Sequence, residues 1–117
     1  MQPSQIEFLK HILDECNYLL QEYSSNTFDD FINNKRLSNA ICRSLEIIGE
    51  ASNRMNPDMT TKYPLVAWRE MGDMRNKIIH HYFGIDYDIV WDTVKTDIPL
   101  LKEAVEMIIK VEGGRKE

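Results

Sequence analysis

Arg75, Asn76, His80 and Tyr82 are the residues of this chain whose types and spacing are suited to chemistry. They lie in the stretch from Trp68 to Asp86, WREMGDMRNKIIHHYFGID, where an apolar helical pattern is interrupted by a cation, an amide and an imidazole. At about 100° per residue, Trp68, Met71, Met74, Ile78, Ile79 and Tyr82 share one broad face of a helix. Arg75 falls in the middle of that face, nearly two turns from Trp68 on one side and from Tyr82 on the other, so it is expected to be enclosed. A guanidinium stays charged at any working pH and is costly to bury unpaired, so it needs a carboxylate, a phosphate or a water-filled cleft. Asn76 and His80 are four apart, which on a helix makes them neighbours on the flank beside Arg75.

Arg75, His80 and Tyr82 form R-x4-H-x-Y inside MRNKIIHHYFGID, and this closely resembles the signature of HEPN-domain proteins, specifically the HepT-like toxins paired with minimal nucleotidyltransferase antitoxins. LEIIGEA (Leu45 to Ala51), YPLVAWREM (Tyr63 to Met71) and VWDTVKTDIPLLKE (Val90 to Glu103) resemble the same family, so the likeness extends over nearly the whole chain. The bare R-x4-H pattern recurs by chance in many helices. Tyr82, the following FGID and the flanking stretches in the right order make it specific. The resemblance implies a single HEPN domain over residues 1–117, a homodimer, and a metal-independent endoribonuclease whose motif lines a cleft between protomers. It also implies that Tyr82, which by its helical position alone reads as a core or interface tyrosine, is where the partner nucleotidyltransferase attaches AMP.

Ribonucleases without metals let the RNA 2′-hydroxyl attack its own phosphate, which needs a base, an acid for the leaving oxygen, and positive charge on the phosphorane. His80 is the natural proton-transfer group because an imidazole titrates near neutral pH. Arg75 would hold the phosphate through its fork of donors, and Asn76 would orient one of its oxygens. One such histidine per chain leaves the second proton role open, to be filled by the other copy across a dimer axis or by His81. The alternative is a non-catalytic helical subunit that docks a nucleotidyltransferase-like partner, with Arg75 in a structural salt bridge and His80 at an interface. The joint presence of Arg75, Asn76, His80 and Tyr82 favours cleavage. No cofactor is expected: three histidines, two of them adjacent, give no metal-ligand spacing, and there is no phosphate-cradling glycine loop and no serine or cysteine with a matched base.

The elements that must position these groups follow from the hydrophobic spacing. Ser4-Gln5-Ile6-Glu7 has the form of a capping box, so a first helix is expected to start there, with Ile6, Leu9, Leu13, Cys16, Leu20 and Tyr23 as its seam. Thr27 can cap a short turn through Ile32. A second long helix is expected from Lys35 to Met55, with Leu37, Ile41, Leu45, Ile48 and Met55 as its stripe and Pro57 as a stop. Gly49 interrupts it at a cost of about 1 kcal/mol against alanine, which marks a close backbone approach. Ala40, Ser44, Ile47 and Ala51 add a line of mostly small side chains, suited to a close helix or a subunit contact. Glu46 and Glu50 either face solvent or supply the carboxylate for Arg75. Asn56 to Thr61 reads as a polar connection, Pro64 sits near the first turn of the motif helix, and Gly84 closes it. Asp86 or Asp88 caps a last helix carrying Trp91, Val94, Ile98, Leu101, Val105 and Ile108, kinked at Pro99 and stopped by Gly113-Gly114. The sum is an all-α fold, an up-and-down bundle of four main helices.

At 117 residues, 43% hydrophobic and 28% charged, the chain suits one globular domain. No run approaches the roughly twenty apolar residues that span a bilayer, and no charged-then-apolar leader is present, so a cytoplasmic protein without membrane contact is expected. Cys16 and Cys42 lie within apolar patterns and read as reduced core thiols. A net charge of −5 excludes a protein that coats nucleic acid nonspecifically. It leaves room for a local basic cleft, for which Arg69, Arg75, Lys77, His80 and His81 are close together in the chain.

Overall fold

The computed structural model describes residues 3–80 and 84–113, with side chains for 5–78 and 84–113. Three long helices carry the fold: α1 (Pro3–Ser25), α3 (Lys35–Asn53) and α7 (Tyr87–Gly113). Between them lie the short helices α2 (Phe28–Asn33), α4 (Pro57–Lys62), α5 (Trp68–Gly72) and α6 (Met74–Ile78), and a two-residue antiparallel ladder of β1 (Ile79–His80) and β2 (Gly84–Ile85). The described residues are thus all-α apart from that ladder, which the sequence pattern did not suggest. The fourth long helix expected over the motif is replaced by the α5–α6 pair.

α1 packs on both α7 and α3, and this decides which of its residues are covered. Leu9, Ile12, Cys16 and Leu19 are fully buried, whereas Ile6, Leu13, Leu20 and Tyr23 of the expected seam are only half-buried. A helix held by two neighbours buries a wide face centred between them, and the centre lies along residues 9, 12, 16 and 19 rather than along the expected three-four seam. The backbone is already helical at Pro3, one residue ahead of the expected serine cap.

Capping fixes the starts of α2, α3, α4 and α7. Thr27 and Asp30 form a reciprocal capping box at α2, with Asp30 N–H donating to Thr27 Oγ1 at 3.1 Å and Thr27 N–H to Asp30 Oδ2 at 2.9 Å. Asn34 caps α3, and Asp86 caps α7 by accepting from Ile89 N–H at 3.1 Å. The presumed connection at 56–61 is a helix, because Asn56 accepts from Met59 N–H and Pro57 takes the first-turn position where its missing donor does no harm. Pro57 therefore starts α4 rather than stopping α3, which ends at Asn53. Pro64 lies in the turn between α4 and α5, ahead of the motif helix rather than within its first turn. α7 runs through Pro99 to Gly113.

The core joins α1, α3 and α7 to Met59, Tyr63, Val66, Trp68, Met71, Met74 and Ile78. Cys16 and Cys42 are free and buried, and burial pushes their thiols up to about 12 and about 11. At the far end of α7, Glu112 is 5% exposed; it accepts from the Tyr63 hydroxyl and from Lys62 Nζ at 2.7 Å, tying α4 to the bundle. Tyr63 O in turn accepts from Trp68 Nε1 at 2.9 Å, which sets the entry of the chain into α5. Among the described residues no helix is long and apolar enough to cross a membrane.

Candidate active site

Trp68 and Met71 are the buried residues of α5, and Met74 and Ile78 those of α6. Between the two, regular helix lapses at Asp73, whose φ of −93° and ψ of 12° depart from helical values near −63° and −42°. The chain stays coiled, with Asp73 N–H bonded to Arg69 O at 3.0 Å and Lys77 N–H to Asp73 O at 3.2 Å, but the α5 stripe does not continue unchanged into α6. α6 buries Met74 and Ile78 in the core it shares with α3 and α7, one residue per turn. Its next residues round the helix, Arg75, Asn76 and Lys77, are exposed. This corrects the expectation that Arg75 sits enclosed in the apolar face: a five-residue helix covered along one narrow stripe leaves the adjoining sector open.

Of the two readings open for Glu46 and Glu50, pairing with Arg75 is not the one taken. Glu46 pairs with Arg43 at 3.8 Å and Glu50 with Arg54 at 3.3 Å, both as neighbours along α3. Among the described residues Arg75 enters no ion pair and no side-chain hydrogen bond. The exposed guanidinium is met by solvent, with five donors to offer an anion. Among the described residues the structural salt bridge of the non-catalytic alternative is therefore not formed.

Asn76 is held in place. Its Nδ2 donates to Asp73 Oδ1 at 2.6 Å, so the residue at the break also orients the amide beside Arg75. Lys77 bridges to Asp97 of α7 at 3.4 Å, which fastens α6 to the long helix and takes a second positive charge out of play. Helix ends at Ile78, and His80 lies in β1, paired with Gly84 across the ladder. The four-residue neighbourhood of Asn76 and His80 expected on one helix is thus replaced by a helix-to-strand step. That step is secured by Asp86 N–H donating to Ile78 O at 2.8 Å and by Gly84, whose φ of 82° suits a residue without a Cβ. The side chain of His80, and His81 and Tyr82 altogether, lie outside the described residues. Among the described residues no group of three histidine, cysteine, aspartate or glutamate side chains is placed to hold a metal ion.

Asp73, Asp97 and the glycine at 72 were not recognised from sequence as parts of the site. A signal existed: Gly72 followed by Asp73 is a turn-prone pair inside a helical pattern, and Asp73 stands three residues before the asparagine it holds. Asp97 carries no such signal, since its contact with Lys77 depends on how α7 returns past α6.

Comparison with known proteins bears on what such a site does. A family model described as "Ribonuclease HepT-like" matches residues 12–108. A provisionally named RNase of Methanocaldococcus jannaschii is 46% identical over 101 residues, covering 86% of this chain and 93% of that protein. Another provisionally named RNase, from Caldanaerobacter subterraneus subsp. tengcongensis, is 41% identical over 105 residues, 90% and 94% of the two chains. A protein of Thermococcus cleftensis provisionally named ribonuclease HepT is 41% identical over 111 residues, 94% of this chain and all of that one. No solved structure matches.

An exposed, unpaired Arg75 makes a direct stability prediction. Arg75→Ala is expected to change unfolding free energy by less than about 0.5 kcal/mol in urea titration, as for other surface substitutions. A loss of about 3 kcal/mol or more would mean that the guanidinium is buried in a pair after all.

Proposed function

Since this chain belongs to the HepT-like ribonuclease family, we propose that it is the toxin of a HEPN/nucleotidyltransferase toxin–antitoxin pair, a metal-independent endoribonuclease that cleaves RNA with Arg75 and His80. The observation that carries this reading is the exposed, unpaired guanidinium of Arg75 beside an amide fixed by Asp73. Arg75 holds the scissile phosphate through two parallel N–H donors, and Asn76 orients one of its oxygens. The RNA 2′-hydroxyl is the nucleophile, and His80, brought to the end of α6 by the β1–β2 ladder, moves the proton.

Homodimerisation supplies the second proton role. An apolar groove of about 470 Å³ supports the same reading; it lies between the 65–67 loop and α7, beside Met71 of α5, and includes Leu65 at 63% and Leu100 at 65% exposure.

Control is by the cognate minimal nucleotidyltransferase antitoxin, which attaches AMP to Tyr82. The added phosphate then competes with RNA for the Arg75 donors, so the inhibition is covalent in origin and competitive in effect.

Each part has its own measurement. His80→Ala and Arg75→Ala should each lower RNA cleavage by about 10²-fold or more, within the usual range for a lost proton-transfer or phosphate-holding group, with unaltered thermal melts. A folded His80→Ala protein that cleaves at the parent rate would end the catalytic reading. Sedimentation equilibrium at micromolar concentration should give twice the chain mass, and a monomer there would remove the dimer. Intact-mass spectrometry after co-expression with the antitoxin should show one or more added AMP units, absent from Tyr82→Phe. A chain that is neutralised without gaining mass would show control by complex formation instead.

A further inference from the structure

Arg69 is an exposed arginine of α5 for which the cleavage chemistry above has no use. Arg43, Arg54, Lys62 and Lys77 are each matched with a carboxylate, whereas Arg69, like Arg75, enters no ion pair among the described residues. It lines a cleft of about 410 Å³ together with Asn53, Glu70, Gly72 and Asp73. Asn53, the last residue of α3, donates from Nδ2 to Gly72 O at 3.0 Å, which leaves its second N–H available. A Cβ at Gly72 would fall 2.0 Å from Asn53 Oδ1, so the glycine is what lets α3 and α5 close on each other here.

Both ends of the cleft carry further polar groups. On one side it adjoins a space of about 650 Å³ shared by Arg69, Asn53 and Ser52. Ser52 is 3% exposed, and its hydroxyl has no partner in the described structure, a group that calls for water or a ligand atom. On the other side the cleft meets the candidate site through Asp73, whose Oδ1 holds Asn76. Arg69 and Arg75 stand six residues apart on either side of the break at Asp73, and both are open to solvent.

We propose that Arg69 and Asn53 form a second phosphate subsite, which holds a phosphodiester next to the one at Arg75 along the same RNA strand. This rests on the ribonuclease reading and adds to it where the substrate backbone runs: from Arg75 and Asn76, past Asp73, to Arg69 and the end of α3. The guanidinium offers a bidentate grip on one phosphate and the Asn53 amide a further donor. Glu70 and Asp73 bring carboxylates to the same cleft, so it suits a single phosphate in direct contact with Arg69 rather than a run of them. In a chain of net charge −5, binding then depends on few contacts, and each is visible in the salt dependence.

The test is the affinity of His80→Ala protein for a fluorescent single-stranded RNA, measured across a range of salt concentrations. Each phosphate contact to a single strand contributes about 0.7 to the slope of log affinity against log salt. Adding Arg69→Ala should weaken binding and reduce that slope by about 0.7. Arg69→Lys should keep the slope while binding more weakly, and Arg36→Ala, which removes an exposed cation at the opposite end of α3, should leave both unchanged. In otherwise unaltered protein, Arg69→Ala should raise KM and leave kcat in place, as loss of uniform binding does. Arg69→Gln, which keeps the side-chain stem, guards against a folding defect and should reproduce the slope change. RNA bound by the Arg69 variants with the parent slope would overturn the subsite and leave the ribonuclease reading standing. A parent that binds no RNA at any salt would overturn both.

Discussion

The position of the motif depends on how closely α3 can approach α5 and α6. Gly49 is the point of contact: a Cβ there would lie 3.0 Å from Met71 O and 3.5 Å from Met74 Cβ, so only hydrogen leaves room for the neighbouring backbone at its present distance. Gly72 makes the reciprocal concession toward Asn53, about one turn further along α3. Two helices that meet backbone to side chain in this way allow Met71, Met74 and Ile78 to reach the core from elements of only five residues each. Such short helices gain little stability from their own hydrogen bonds and depend on tertiary packing.

That anchoring explains why polar groups can stand at the surface of the motif without drifting. α6 is pinned below by Met74 and Ile78, at its start by Asp73, at its side by the Lys77–Asp97 bridge, and at its end by the ladder and the Asp86–Ile78 hydrogen bond. An exposed ion pair such as Lys77–Asp97 contributes little on its own, and its effect here is directional: it fixes which way α6 faces α7. Holding a guanidinium open to solvent costs nothing in desolvation, whereas the enclosed arginine expected from the helical wheel would have required a buried carboxylate. Openness to an anion and stability are therefore compatible at Arg75.

The charge arrangement carries the same logic outward. Most described cations near the motif are matched locally: Arg43 and Arg54 by glutamates of α3, Lys62 by Glu112, Lys77 by Asp97. What stays available lies on α5 and α6, at Arg69 and Arg75. An acidic chain thereby keeps these two cations open to solvent beside the motif.

Much of this was legible in the residues themselves. Local chemistry determined the helix starts at Thr27 and Asp86, since a capping side chain acts within three residues of itself, and three-four spacing marked the stripes of α3 and α7. Gly49 announced a close approach because a glycine inside a helix has a cost that packing must offset. The resemblance to HepT-like proteins rested on residues 75–86 and their flanks, and the family match bears it out. Tertiary structure alone decided the rest. The α1 stripe was rotated from its expected seam because two neighbours, not one, cover it. Arg75 came out exposed because the helix broke at Asp73 and only one stripe of α6 found a partner, a matter of how far α3 and α7 extend around it. Glu46 and Glu50 turned to arginines on their own helix, and Lys77 found Asp97, because long-range pairing depends on the path of the chain between them. A helical wheel gives each residue its angle; which angles are covered is set by the neighbours that pack against the helix.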